Sequence, residues 1–243
     1  MKTKKKLGIL GGMGPYAGVS FLRLVTEHTR AQSDADHLDI VMTSTASIPD
    51  RSAFLLNRGS PSPLPKIKRD IETLVFGGAD IIAVPCNTAC CFIEEISVFS
   101  AVPIIDIISE TVLFAKSAGA KRLGILATAG TLASGKYQSA CRALGIEPVT
   151  PSVGDEARLT DLIYRRLKAG AFKADEVDGI IGDMLCRCDF VVFGCTELSL
   201  IDISVKSFCD RIIDSSRVLA LKAITECGAE PTGFEKIYKK YGR

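Results

Sequence analysis

Two stretches of the sequence decide the fold: GADIIAVPCNTA at 78–89 and RCDFVVFGCTEL at 187–198. Each carries an uninterrupted apolar run, then a turn holding a cysteine, then residues that can open a helix. A strand covered on both faces reads as a continuous apolar run, the mark of a parallel sheet packed between helices. Upstream of each stretch lies a second matching pair. KKLGIL at 5–10 runs into the glycine turn GGMGP, and KRLGIL at 121–126 runs into ATAGT. Two elements recurring in the same order at similar separation predict a duplicated unit. Cys86 and Cys195 fall at equivalent points of it.

Outward from these anchors, short apolar runs alternate with amphipathic stretches, the pattern of strands joined by crossover helices. Strands are expected at Leu7–Leu10, Ile40–Thr43, Ile81–Val84, Ile104–Ile105, Leu123–Leu126, Phe190–Phe193 and Arg211–Ile213. Helices are expected near 15–32, 64–77, 89–98, 108–118, 133–144, 155–168, 174–187 and 215–227. Asn57–Pro65, with three prolines in five residues, reads as a loop. The lysine-rich ends, Lys4–Lys6 and Lys239–Lys240, read as solvated. The fold class is therefore α/β, with two similar lobes.

The 243 residues carry 30 Lys+Arg against 28 Asp+Glu, a formal charge of +2, and 47% are hydrophobic. That balance lacks the basic excess of a nucleic-acid surface, and the apolar content excludes intrinsic disorder. No apolar run approaches the ~20 residues that span a bilayer. The basic N-terminus has no apolar signal region behind it, so a cytoplasmic protein is expected. Nine cysteines, an odd number without an export signal, do not read as a disulfide framework. C-x3-C-C at 86–91 and C-x-C at 186–188 lack zinc-knuckle spacing, so no metal is expected. Most of the nine read as small buried hydrophobes.

Ligands in open α/β sheets bind beyond the carboxyl ends of the strands. Both cysteine turns and both glycine turns sit there, so two facing lobes would share one cleft. A thiol at a helix start feels the positive end of the dipole and free backbone N–H groups. The thiols of Cys86 and Cys195 are therefore expected to fall below the free value of about 8.5. Two thiols on opposite walls of one cleft suit proton removal on one face of a carbon and delivery on the other. That is the chemistry of a cofactor-free racemase or epimerase. Disulfide exchange would use C-x-x-C at a helix start, which this chain lacks.

Gly12-x-Gly14-x-x-Ala17 follows a strand, but the second strand ends Met42-Thr43-Ser44-Thr45 without a ribose-binding acid, so NAD is not expected. The same turn, with Pro15 at the first helical position, suits a small anion such as a carboxylate. Arg51 could clasp a carboxylate through two hydrogen bonds, or pair with Asp50 at the surface. Thr128 and Thr131 could serve the same anion or cap a helix. His28 and His37 read as surface residues, and no G-x-S-x-G supports a serine triad.

Taken together, GGMGP (11–15), IPDR (48–51), PCNTA (85–89), VPIIDI (102–107), GILATAGT (124–131), LKAG (167–170) and GCTEL (194–198) resemble the aspartate/glutamate racemase family of cofactor-independent amino-acid racemases. The resemblance implies a pseudo-symmetric pair of lobes, each a mostly parallel sheet flanked by helices, with the active site between them. It divides the chain into 1–103 plus 209–243, carrying Cys86, and 104–208, carrying Cys195, with the last strand and helix returning to the first lobe. Cys86 and Cys195 would be the catalytic acid/base pair. Met13, Asn87, Thr88, Thr128, Thr131 and Thr196 would bind substrate, with Arg51 and Lys168 holding its side-chain carboxylate. Gly12, Gly14 and Glu197 would support the site. Glu197 stands where glutamate racemases usually carry His, and Gly12-Met13 replaces their Asp-Ser, which places the chain nearer the aspartate branch. Cys90 replaces the His of the NTAH form, and Thr45-Ala46-Ser47 replaces an Asn-containing turn. The implied activity is racemisation of aspartate first and glutamate second, without pyridoxal phosphate or metal, by a homodimer whose partner molecule is a small amino acid. Maleate isomerisation, arylmalonate decarboxylation and silent amino-acid binding are the alternatives.

Overall fold

The structure, a computed structural model, describes residues 4–168, 175–201 and 210–234. Two four-stranded parallel sheets share one strand order. The first contains β1 (Leu7–Gly11), β2 (Ile40–Ser44), β3 (Ile81–Ala83) and β4 (Ile104–Ile105), ordered β2-β1-β3-β4. The second contains β5 (Arg122–Leu126), β6 (Glu147–Val149), β7 (Phe190–Phe193) and β8 (Ile212–Asp214), ordered β6-β5-β7-β8. The registers correspond as well, with Leu7 opposite Ile81 in one sheet and Leu123 opposite Phe190 in the other. The central strands β1 and β3 are fully buried and β5 and β7 are buried after their first residue, as their continuous apolar runs require.

Two expectations need correction. The last strand does not return to the first sheet: β8 pairs with β7, and β4, placed beyond the 103/104 boundary, pairs with β3. Each repeat keeps its own fourth strand. The helix that follows does cross over, because α11 (Ser215–Glu226) packs on α1 (Pro15–His28), while α6 (Ile107–Ser117), which follows β4, packs on α8 (Lys136–Ala143). Strand β6 was also unforeseen. It is three residues long with Pro148 at its centre, which only an edge strand tolerates.

Other helices follow the sequence with local breaks. α3 (Leu64–Phe76), α9 (Val153–Asp161) and α10 (Asp175–Leu185) lie where expected, and Leu162–Leu167 continues α9 as a π-helical turn. The helix expected at 89–98 is two short ones, α4 (Asn87–Cys90) and α5 (Ile93–Ser97). The one at 133–144 divides at Gly135, whose φ of 69° ends α7 (Ala129–Ser134) and opens α8. A short α2 (Arg51–Leu56), capped by Asp50, was not anticipated. Lys239–Lys240 and the end of LKAG lie outside the described residues. Among the described residues, no helix is long and apolar enough to cross a membrane.

One apolar core runs through both lobes, joining Ile9 and Ile82 to Leu123, Ile125 and Tyr137. A second cluster lies between α10 and the second sheet, around Ile181, Met184 and Val191. The lobes also meet where α2 packs on α7. A Cβ on Gly130 would lie 2.5 Å from the Cα of Ser52, so only glycine permits that approach. Gly130→Ala is therefore expected to lower the unfolding free energy by about 1–3 kcal/mol, as overpacking does. Gly179→Ala, in α10 with no atom near its added methyl, should be neutral or stabilising by about 0.5–1 kcal/mol. Urea denaturation of the two variants checks both.

Candidate active site

Cys86 and Cys195 follow the equivalent strands β3 and β7 and line one cleft, each 4% exposed. Met13, Arg51, Asn87, Thr88, Thr128, Lys168, Thr196 and Glu197 line it with them. Thr131 stands behind, within hydrogen-bond distance of Thr88 at 2.9 Å and Thr128 at 3.0 Å. Ser52 and Tyr164 also face the cleft and were not foreseen. Their signals were present: Ser52 adjoins Arg51, and Tyr164 lies one helical turn before Lys168. His28 and His37 do not line it; His28 is half-buried against Phe234 and the Thr232 carbonyl.

The local backbone explains these positions. Cys86 is the N-cap of α4, and its carbonyl accepts from Cys90 N at 3.2 Å. At Gly12, φ is 89° and an added Cβ would lie 2.4 Å from Thr45 N, so the first turn requires glycine there. Pro15 occupies the first position of α1, as expected. The Glu197 carboxylate lies against this turn: its Oε1 would be 3.2 Å from a Cβ on Gly14.

Arg51 is 7% exposed, not a surface residue. Its Nη1 donates to the carbonyls of Ile48 and Pro49 at 3.3 and 3.1 Å, and its Nη2 to the Met13 carbonyl at 3.1 Å. Among the described residues, its Nε finds no hydrogen-bond partner. Burial works to lower the Arg51 pKa, but the Cys86 sulfur and then Asp50 and Glu197 outweigh it and raise it. Asp50 itself caps α2 through Ala53 N at 2.7 Å and accepts from the Tyr164 hydroxyl of the other lobe at 3.1 Å.

The second cysteine departs from expectation. Its thiol donates to Glu197 Oε2 at 3.1 Å. Burial first, and the Glu197 carboxylate second, push the Cys195 thiol well above the ordinary range, against the pull of Lys168. The dipole that was expected to lower it is absent, since only a three-residue 3-10 turn, Leu198–Leu200, follows. Glu197 is 3% exposed, and burial alone would raise its carboxyl; Lys168 and the Cys195 hydrogen bond reverse this and hold it below the usual carboxylate range. Lys168 Nζ lies 3.2 Å from Glu197 Oε1, close enough for an ion pair although the angles do not make a hydrogen bond. Burial lowers the Lys168 ammonium, and Glu197 followed by Cys195 more than compensates.

Cys90 is wholly buried and does not line the cleft. Burial and then Asp106 push it far above the ordinary thiol range. Cys91, Cys141, Cys188 and Cys227 are buried too, whereas Cys186 is exposed, contrary to a packing role. Cys209 lies outside the described residues.

Three hydroxyls, Thr88, Thr128 and Thr131, cluster across the lobe junction, and Ser52 donates to Thr128 at 3.0 Å. The cleft between the cysteines holds about 10 Å³, room for about one water. Beside it, a cavity of about 260 Å³ is lined by Gly12, Gly14, Pro15, Tyr16, Ala46, Ile48 and Asp50, together with Arg51, Lys168 and Glu197. The last three residues border both spaces.

A family model described as Asp/Glu/Hydantoin racemase matches residues 10–223. The chain is 29% identical to a solved aspartate racemase of Picrophilus torridus, covering 98% of this chain and all of that one, with a TM-score of 0.84. It is 27% identical to the broad specificity amino-acid racemase RacX of Bacillus subtilis, over 90% of this chain and 96% of RacX. It is 28% identical to the glutamate racemase of Aquifex aeolicus, but there the match covers 59% of this chain and 57% of the relative.

A group whose pKa is lowered on folding stabilises the fold above its unfolded pKa, about 4.3–4.5 for glutamate, and loses that effect as pH falls through the folded value. Glu197→Gln should therefore be less stable than the parent chain at pH 6–8, by roughly 1–3 kcal/mol for a buried charge left without its partner. The gap should narrow as pH falls below about 4.5. Denaturation midpoints measured across that range check the sign.

Proposed function

Since the chain belongs to the Asp/Glu/Hydantoin racemase family, whose members are isomerases, we propose that it interconverts the L and D forms of an acidic amino acid, aspartate first and glutamate second. The observation that carries this reading is the pair of cysteines at equivalent ends of repeated strands, lining one buried cleft. Cys86 and Cys195 are the acid/base pair. The Cα–H bond breaks as one sulfur takes the proton, and the electron pair moves onto the α-carboxylate. The other thiol then gives its proton to the opposite face of Cα. In the resting protein Cys195 is the acid, because its thiol donates to Glu197 and burial keeps it protonated. Cys86 is then the base, with the Arg51 guanidinium supplying positive charge beside its sulfur. After that turnover Cys86 carries the proton and Cys195 is the thiolate, so the D form is converted back with the roles exchanged. The resting state returns when Cys86 loses a proton and Cys195 regains one.

Thr88, Thr128 and Thr196 offer hydroxyls to the α-amino and α-carboxylate groups, Thr131 holds Thr88 and Thr128 from behind, and Met13 and Asn87 complete the walls. Fixed donors aimed at a developing carboxylate charge lower the barrier more in a dry cleft than in water. Arg51 and Lys168 hold the side-chain carboxylate, displacing Glu197 from Lys168 in part. An amino acid does not fit the space for about one water between the sulfurs, so substrate entry opens the cleft from the larger cavity. Both proton carriers are side chains, so the proposal requires no cofactor. The first lobe comprises β1–β4 with α11, the second β5–β8 with α6. A cytoplasmic homodimer completes the proposal and is carried over from the family.

One observation favours a wider substrate range as the second reading. Both cations are already occupied by protein groups, Lys168 by Glu197 and Arg51 by three carbonyls, and the neighbouring cavity exceeds an aspartate side chain. In deuterated water, L-aspartate should acquire deuterium at Cα as it inverts, followed by chiral chromatography and mass spectrometry. Cys86→Ser and Cys195→Ser should each lose inversion by at least about 100-fold, the low end of a general acid–base contribution. No exchange or inversion of aspartate or glutamate by the parent chain would overturn the substrate assignment, and inversion of other amino acids would favour the wider range.

A further inference from the structure

Asn87 follows Cys86 and opens α4, a helix of only four residues. So short a helix cannot hold its own start in place. The Asn87 side chain is instead gripped from two sides. The Tyr137 hydroxyl, on α8, donates to Asn87 Oδ1 at 2.6 Å, and Asn87 Nδ2 donates to Ser215 Oγ at 2.9 Å. Ser215, the first residue of α11, in turn donates to the Phe193 carbonyl at 2.6 Å. Phe193 ends β7, and Gly194 alone separates it from Cys195. Tyr137 and Ser215 are 0% exposed and Asn87 1%, so no water competes for these bonds. A continuous buried chain therefore runs from the residue beside one cysteine to the strand that carries the other.

We propose that Tyr137 and Ser215 are positioning residues that fix, through Asn87, how the two cysteine-bearing turns face each other. The proposal rests on the two-thiol reading above. A shorter tie already joins the turns, since Thr196 Oγ1 donates to the Pro85 carbonyl at 3.1 Å. A single hydrogen bond is a pivot; a second, at a separate point, removes the rotation. The two ties together fix how the two turns face the cleft that both cysteines line. Asn87 spends one donor and one acceptor on this chain, which leaves one N–H and one lone pair for substrate.

Loosening the longer tie leaves the turns joined at Thr196 but less well aligned, so the second thiol drops out of line with Cα. The proton taken by the first sulfur then exchanges with solvent and is replaced on the same face. Deuterium enters recovered L-aspartate without inversion. The ratio of deuterium in recovered L-aspartate to D-aspartate formed should rise about tenfold in Tyr137→Phe, with kcat falling about tenfold or more and KM changing less than about twofold. Tyr137→Phe keeps the ring and fills the core. Ser215→Ala removes the link between Asn87 and the Phe193 carbonyl, whereas Tyr137→Phe keeps that link but releases the Asn87 amide from its other side. Both loosen the tie and should act alike. Melting curves fix an assay temperature at which each variant is folded. A residue needed only for stability lowers exchange and inversion together and leaves the ratio unmoved. An unchanged ratio in both variants, with the parent chain inverting aspartate, overturns the positioning role alone. Absence of inversion in the parent overturns the two-thiol reading, and the positioning role with it.

Discussion

At the junction of the lobes, the backbone of α2 lies against Gly130 on α7, so close that a single added carbon would meet Ser52 at 2.5 Å. That approach brings the carboxyl ends of two separate parallel sheets together. The order of strands within each sheet would survive without it, because β1 and β5 sit at the centre of independent hydrogen-bonded ladders. The cleft would not. Ser52 could not reach Thr128, Tyr164 could not reach Asp50, and the three threonine hydroxyls would lose their common centre. A duplicated unit explains why each lobe has a cysteine turn, and the packing of α2 on α7 explains why the two turns share a wall.

Charge is arranged inside this cleft with little exposure and no net excess. Arg51 and Lys168 face Asp50 and Glu197, and all four border the cavity beside the cysteines. Glu197 is the pivot of the arrangement. It accepts the Cys195 proton donor, pairs with Lys168 and lies against the Gly14 turn. A buried carboxylate with a lysine at 3.2 Å stays ionised, and one beside a thiol keeps that thiol protonated. The two cysteines thus begin in different environments, one beside a guanidinium and one beside a carboxylate. That asymmetry is what a reaction with one proton donor and one proton acceptor needs.

Much of this was legible in the chain because parallel strands buried on both faces leave continuous apolar runs. LGIL, IIA, LGIL and FVVF appear as strands for that reason. Glu147-Pro148-Val149 does not, since a short edge strand with a proline has no such run. The repeat located both cysteines, and its strand order would have placed β8 in the second sheet; the family resemblance pointed the other way and misplaced it. The raised Cys195 thiol was hidden because its cause is a side chain's burial rather than a helix end. Tyr137 and Ser215 were hidden for another reason. Their partner Asn87 lies 50 and 128 residues away in sequence, and hydrogen bonds of that range leave no periodicity to read.

The central claim is that one substrate carbon sits between two sulfurs. A crystal structure of the Cys86→Ser/Cys195→Ser variant soaked with L-aspartate tests it most directly. The account predicts aspartate in the opened cleft, with the side chains of residues 86 and 195 on opposite faces of Cα and each within about 3.5 Å of it. Aspartate lodged only in the outer cavity, or with both side chains on one face of Cα, would contradict it.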